Sequence, residues 1–145
     1  REKGYRLGVD GYLTKPVDAE QLLSTVSLLA ARGQRTPAPT RKKVLVIEDD
    51  TGIVRAIQEV LDEFQLITVD DGQVGIRIAR QEHPNLIILD VRLAKEGAIV
   101  KTLRAMSETR ESQIIVLTET IRTEITTILD TIHHDERSRT EKTIE

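Results

Sequence analysis

Apolar residues follow two rhythms along this chain. Val44-Leu45-Val46-Ile47, Leu86-Ile87-Ile88-Leu89 and Ile114-Ile115-Val116-Leu117 are unbroken apolar runs of four. Short continuous runs of this kind mark strands buried on both faces, as in a parallel sheet. Leu66–Val69 and Gly11–Thr14 read as two further strands. Between them apolar residues recur at helical spacing: Leu22, Leu23, Val26, Leu29 and Ala30, then Ile53, Ile57, Val60, Leu61 and Phe64. Val74, Ile76, Ile78 and Ala79 place a third helix, and further helices are expected over Ala98 to about Met106 and Glu124 to about His133.

The punctuation agrees with these elements. Asp18 is placed to cap the first helix, with Gln21 as a capping-box partner, and Arg32-Gly33 ends it. Gln34 to Lys42, "QRTPAPTRK", has two prolines and no apolar period, so it reads as a linker. Asp71-Gly72 opens the third helix and His83-Pro84 stops it. Asp50 reads as a helix-start residue. Strands alternating with helices predict an α/β fold, a doubly wound parallel sheet covered on both faces.

In such sheets ligands bind beyond the carboxyl ends of the strands. The residues there are Glu48, Asp49 and Asp50, then Asp90, Thr118 and Lys15. Carboxylates gathered at one edge repel unless a cation sits among them. A hard divalent ion such as Mg²⁺, with few protein ligands and several waters, suits that donor set. A lysine supplies a point charge for a phosphate oxygen and a threonine a hydroxyl donor. Together they suit charge compensation of a phosphoryl group on a carboxylate.

Composition narrows the alternatives. The 145 residues suffice for one compact domain, and 39% hydrophobic with 31% charged suits a soluble one. There are no cysteines, which excludes disulfides and thiolate chemistry and fits a cytoplasmic setting. A net charge of -3 and 2% aromatics give no support to direct nucleic-acid binding. No apolar run approaches the ~20 residues of a membrane span. The charged, glycine-containing first residues do not read as a signal peptide.

These motifs resemble the receiver domain of two-component response regulators, over almost the whole chain apart from linker and tail. "VLVIEDD" is similar to that family's first strand and acidic pair, Glu48 and Asp49. "NLIILD" is similar to the third strand, ending in the phospho-accepting Asp90, and "IIVLTE" to the fourth, ending in the switch hydroxyl Thr118. "GVDGYLTKP" is similar to the fifth, with Lys15 as the phosphate-sensing lysine and Tyr12 at the rotating aromatic position. The resemblance implies a flavodoxin-like sheet of order 2-1-3-4-5. It implies Mg²⁺ held by Glu48, Asp49 and Asp90, with Asp90, Thr118 and Lys15 as the phosphorylation machinery. The implied partner is a histidine kinase or phosphotransfer protein. Any activity is at most self-phosphorylation and self-dephosphorylation.

The order differs from the family. The lysine strand comes first, and nothing like it follows Thr118. Residues 1–33 therefore resemble the closing part of a receiver, 34–42 a linker and 43–145 the opening part. The pieces either derive from two receivers in tandem or complete one another as a permuted, composite domain, as a monomer or a domain-swapped dimer. A linker of roughly ten residues spans about 33 Å when extended, enough to join them.

There are local departures too. Ala94 stands where the family usually has proline, and Gly97 comes one residue early. They motivate the alternative of a receiver-like interaction module that takes no phosphate, or an inactive tandem-receiver fragment. A hydrolase of the phosphoaspartate type would need a second aspartate two residues after Asp90, where Arg92 sits. His133-His134 partly resembles a kinase phospho-acceptor box but reads best as a solvated helix end.

Overall fold

The computed structural model describes residues 8–32, 41–95 and 97–118. Its strands are β1 (Gly11–Thr14), β2 (Lys43–Ile47), β3 (Gln65–Val69), β4 (Leu86–Asp90) and β5 (Gln113–Thr118). They form one sheet, in the order β1-β5-β4-β2-β3, and every pair is parallel. Counted from Lys43, with β1 taken as the fifth strand, this is the expected order 2-1-3-4-5. The interior strands β2, β4 and β5 carry the unbroken apolar runs because both their faces are covered. Val44 and Val46 belong to one half of the core, Leu45 and Ile47 to the other.

The helices are α1 (Ala19–Ala31), α2 (Thr51–Val60), α3 (Gly72–Glu82) and α4 (Ala98–Ala105). Leu22, Val26 and Leu29 of α1 and Ile57 of α2 pack on one face of the sheet. Ala79 of α3 and Ile99, Val100 and Leu103 of α4 pack on the other. Asp18, Asp50 and Asp71 cap α1, α2 and α3, each carboxylate accepting two backbone N–H groups. The spacing of Ile53 to Phe64 predicts a longer second helix than is found. α2 stops at Val60 and Leu61 is its C-cap, yet Leu61 and Phe64 still pack against the same core. α3 ends on His83, which has φ 51° in the left-handed region, one residue before Pro84. Gly97, at φ 91°, supplies the left-handed turn that starts α4.

The N-terminal segment is tied to the rest by specific bonds. β1 pairs with β5 from Gly11↔Ile115 to Thr14↔Thr118, within one chain. Asp10 Oδ2 accepts from the Ile114 N–H and from Arg104 Nη2, both at 2.8 Å. Arg104 also donates to the carbonyls of Gly8 and Ser112, at 2.8 and 2.6 Å. Lys42 Nζ donates to the Ala30 carbonyl at 2.9 Å, placing a cation at the C-terminal end of α1. No helix among the described residues is long and apolar enough to cross a membrane. The helix expected over Glu124 to His133, the His133-His134 pair and most of the linker lie outside the described residues.

Because Leu22 is fully buried while Leu23 is 44% exposed, the two leucines of α1 test its docking. Leu22→Ala should cost about 3 kcal/mol in urea unfolding, and Leu23→Ala less than about 0.5 kcal/mol. Equal small losses would mean that α1 does not pack on this sheet.

Candidate functional site

β2 has β3 on one side and β4 on the other, so the chain reverses its winding direction there. The crevice at such a switch point opens at the carboxyl ends of the strands. Glu48 follows β2 and is 1% exposed. Its N–H donates to the Val69 carbonyl, and its Oε2 accepts from the Asp50 N–H at 3.0 Å. Asp90 ends β4 with no exposed surface. Its Oδ1 accepts from the Arg92 N–H at 2.8 Å, which caps the short 3-10 turn Val91–Leu93. That turn leans on α3: a Cβ added to Gly72 would lie 2.9 Å from the Leu93 carbonyl oxygen.

Lys15 leaves β1 through its backbone N–H, which donates to the Thr118 carbonyl at 3.2 Å, and through a cis bond to Pro16. Its ammonium lies 2.9 Å from Asp90 Oδ2, and 3.2 and 3.5 Å from Oε1 and Oε2 of Glu48. A lysine 75 positions away in sequence thus meets the aspartate in a buried ion pair. Thr118 is half-buried at the end of β5, and its hydroxyl lies 3.4 Å from the Leu13 carbonyl. Tyr12 is 37% exposed on the edge strand, opposite Val116 in register. Asp49 stands at the rim with its side chain 43% exposed. Asp50 turns away as the cap of α2.

Sequence reasoning placed no role on Arg92, which the structure puts at the centre. Its Nη2 lies 2.7 Å from Asp90 Oδ2, 2.7 Å from Asp49 Oδ1 and 3.7 Å from Glu48 Oε2. The one available signal was a cation two residues beyond the end of an acidic strand.

Burial works against every charge here, and the neighbours decide the outcome. For Lys15, burial lowers the pKa, but its bond to Asp90 and the fields of Glu48 and Asp90 win and raise it. For Asp90, burial opposes ionisation, but the hydrogen bonds from Arg92 and Lys15 outweigh it and hold the carboxyl down at about 2. Glu48 goes the other way: burial pushes it up to about 7, and adjacent Asp90 adds to the rise.

Glu48, Asp49 and Asp90 each offer an oxygen within 4.8 Å of the others. Oε1 of Glu48 is buried without a hydrogen-bond partner among the described residues, although the ammonium lies 3.2 Å away. Three carboxylates meeting at one strand edge form an all-oxygen donor set, which fits a hard divalent cation.

Residues 44–137 match the family model of the response regulator receiver domain. Lys15 and the first strand and helix lie before that match. Over 60 residues the chain is 40% identical to the alkaline phosphatase synthesis transcriptional regulatory protein PhoP of Bacillus subtilis, covering 40% of this chain and 25% of that protein. Over 57 residues it is 37% identical to the probable transcriptional regulator ycf27 of Cyanophora paradoxa, covering 38% and 24%. Over 78 residues it is 30% identical to the transcriptional regulatory protein CpxR of Escherichia coli, covering 52% and 33%. The matched stretches thus span a quarter to a third of these relatives.

Removing the ammonium would leave two buried carboxylates without their inner partner. Lys15→Met should therefore destabilise the protein by about 3 kcal/mol in metal-free urea unfolding. A loss within the ±0.5 kcal/mol of ordinary surface substitutions would place Lys15 outside the buried cluster.

Proposed function

The chain belongs to the response regulator receiver domain family, and from that premise we propose that Asp90 takes a phosphoryl group in two-component signalling. The donor would be a histidine kinase or phosphotransfer protein in the cytoplasm. The observation that carries this reading is the buried contact of Lys15 Nζ with Asp90 Oδ2, 2.9 Å, at the carboxyl ends of the strands.

The residues divide the work as follows. Asp90, held ionised, is the nucleophile: a carboxylate oxygen bonds to phosphorus as the bond to the donor's leaving atom breaks. The Lys15 ammonium offsets charge on the phosphoryl oxygens, and the Thr118 hydroxyl, at the end of the neighbouring strand, donates to another. Tyr12, on the strand paired with β5, would follow the movement of Thr118. Glu48, Asp49 and Asp90 would hold Mg²⁺, which supplies the remaining positive charge when bound.

This reading takes residues 1–33 and 43–145 as the two parts of one composite receiver, joined by residues 34–42. The β1–β5 pairing within one chain supports it. The three Arg92 contacts favour a second reading, an interaction module in which Asp90 is masked and takes no phosphate.

Incubation with acetyl phosphate and Mg²⁺, read by intact mass, decides between them. Wild type should gain a labile phosphate adduct. Asp90→Asn, which keeps the shape and loses the nucleophile, should gain none. No adduct on wild type would favour the masked module, and an equal adduct on the Asn variant would place the acceptor elsewhere.

A further inference from the structure

We propose that the Arg92 guanidinium is the resident cation of the acidic site, and that a divalent ion binds there only by displacing it. The inference rests on reading Glu48, Asp49 and Asp90 as the cation's ligands.

One nitrogen, Nη2, sits against all three carboxylates, at 2.7 Å from two of them and 3.7 Å from the third. Those three carboxylates are also the ones whose oxygens lie within 4.8 Å of one another. A hard ion on the same oxygens needs ligand distances of about 2.1 Å, so ion and guanidinium compete for one space.

The two basic side chains of the site differ in how freely they can leave. The Lys15 side chain is 8% exposed and has buried carboxylates on both Glu48 and Asp90 as partners. The Arg92 side chain is 50% exposed, springs from a short 3-10 turn, and reaches the cluster from the solvent side. Swinging it into water breaks charge-assisted bonds but buries no charge, so its displacement is the cheaper of the two. Arg92 also closes a fork on Asp90, with Nε 3.4 Å from Oδ1 and Nη2 2.7 Å from Oδ2. The state that binds the ion is therefore the state with the arm out. The apparent affinity is reduced by the fraction of time the arm spends there.

The test is a Mg²⁺ titration of the full chain, followed by calorimetry and by the backbone NMR shifts of Asp49 and Asp90. Arg92→Gln and Arg92→Ala should each bind Mg²⁺ about tenfold more tightly than wild type, the change expected when roughly one charge-assisted hydrogen bond no longer has to be broken. Equal or weaker affinity in both variants, with wild type binding at the acidic site, would overturn the displacement and leave the ligand assignment standing. No shift at Asp49 or Asp90 in any of the three proteins would overturn both.

Discussion

A buried ammonium set between two buried carboxylates is the interaction on which the rest of this structure depends. Lys15 comes from the first strand, Glu48 follows the second and Asp90 ends the fourth. None of the three tolerates burial alone, because an unpaired charge in a core costs several kcal/mol. They can be buried together only if β1 lies beside β5 with its carboxyl end at the crevice. The register Gly11↔Ile115 to Thr14↔Thr118 and the Asp10–Arg104 pair hold it there. The same placement covers β5 on its outer side and gives α1 a sheet against which to bury Leu22, Val26 and Leu29.

The site that results has an inner and an outer positive charge. The inner one, Lys15, is enclosed and fixed by two carboxylates. The outer one, Arg92, is half-exposed and shared among three. On the proposed reading, phosphoryl chemistry on Asp90 would need the first to stay and the second to yield. Asp90 is held at about 2 and Glu48 up at about 7, so neighbouring carboxylates are given different roles by their surroundings. The hydrogen bonds from Arg92 and Lys15 hold Asp90 ionised, while burial raises the pKa of Glu48.

Much of this could be read from the residues in order. Val44–Ile47, Leu86–Leu89 and Ile114–Leu117 announce interior strands because a two-sided burial leaves no room for alternation. Asp18 announces a helix start because its carboxylate meets two orphan N–H groups. Glu48, Asp49, Asp90, Thr118 and Lys15 could be assembled by noting which residues follow strands. What could not be read are contacts set by tertiary approach. Arg92 touches Asp49 only because β2 and β4 lie side by side, and Arg104 finds Asp10 across a gap of 94 positions. The end of α2 at Val60 was hidden because Leu61 and Phe64 keep facing the core after the helix has stopped.

The claim that Lys15 and Asp90 form one site across the chain is tested most directly by a double-mutant cycle. Lys15→Met, Asp90→Ala and the combined variant are unfolded in urea with divalent ions chelated. If the pair is in buried contact, the two losses should fail to add, with a coupling of about 2 kcal/mol. Losses that add to within about 0.4 kcal/mol would mean the ammonium and the carboxylate do not meet, and would contradict the account.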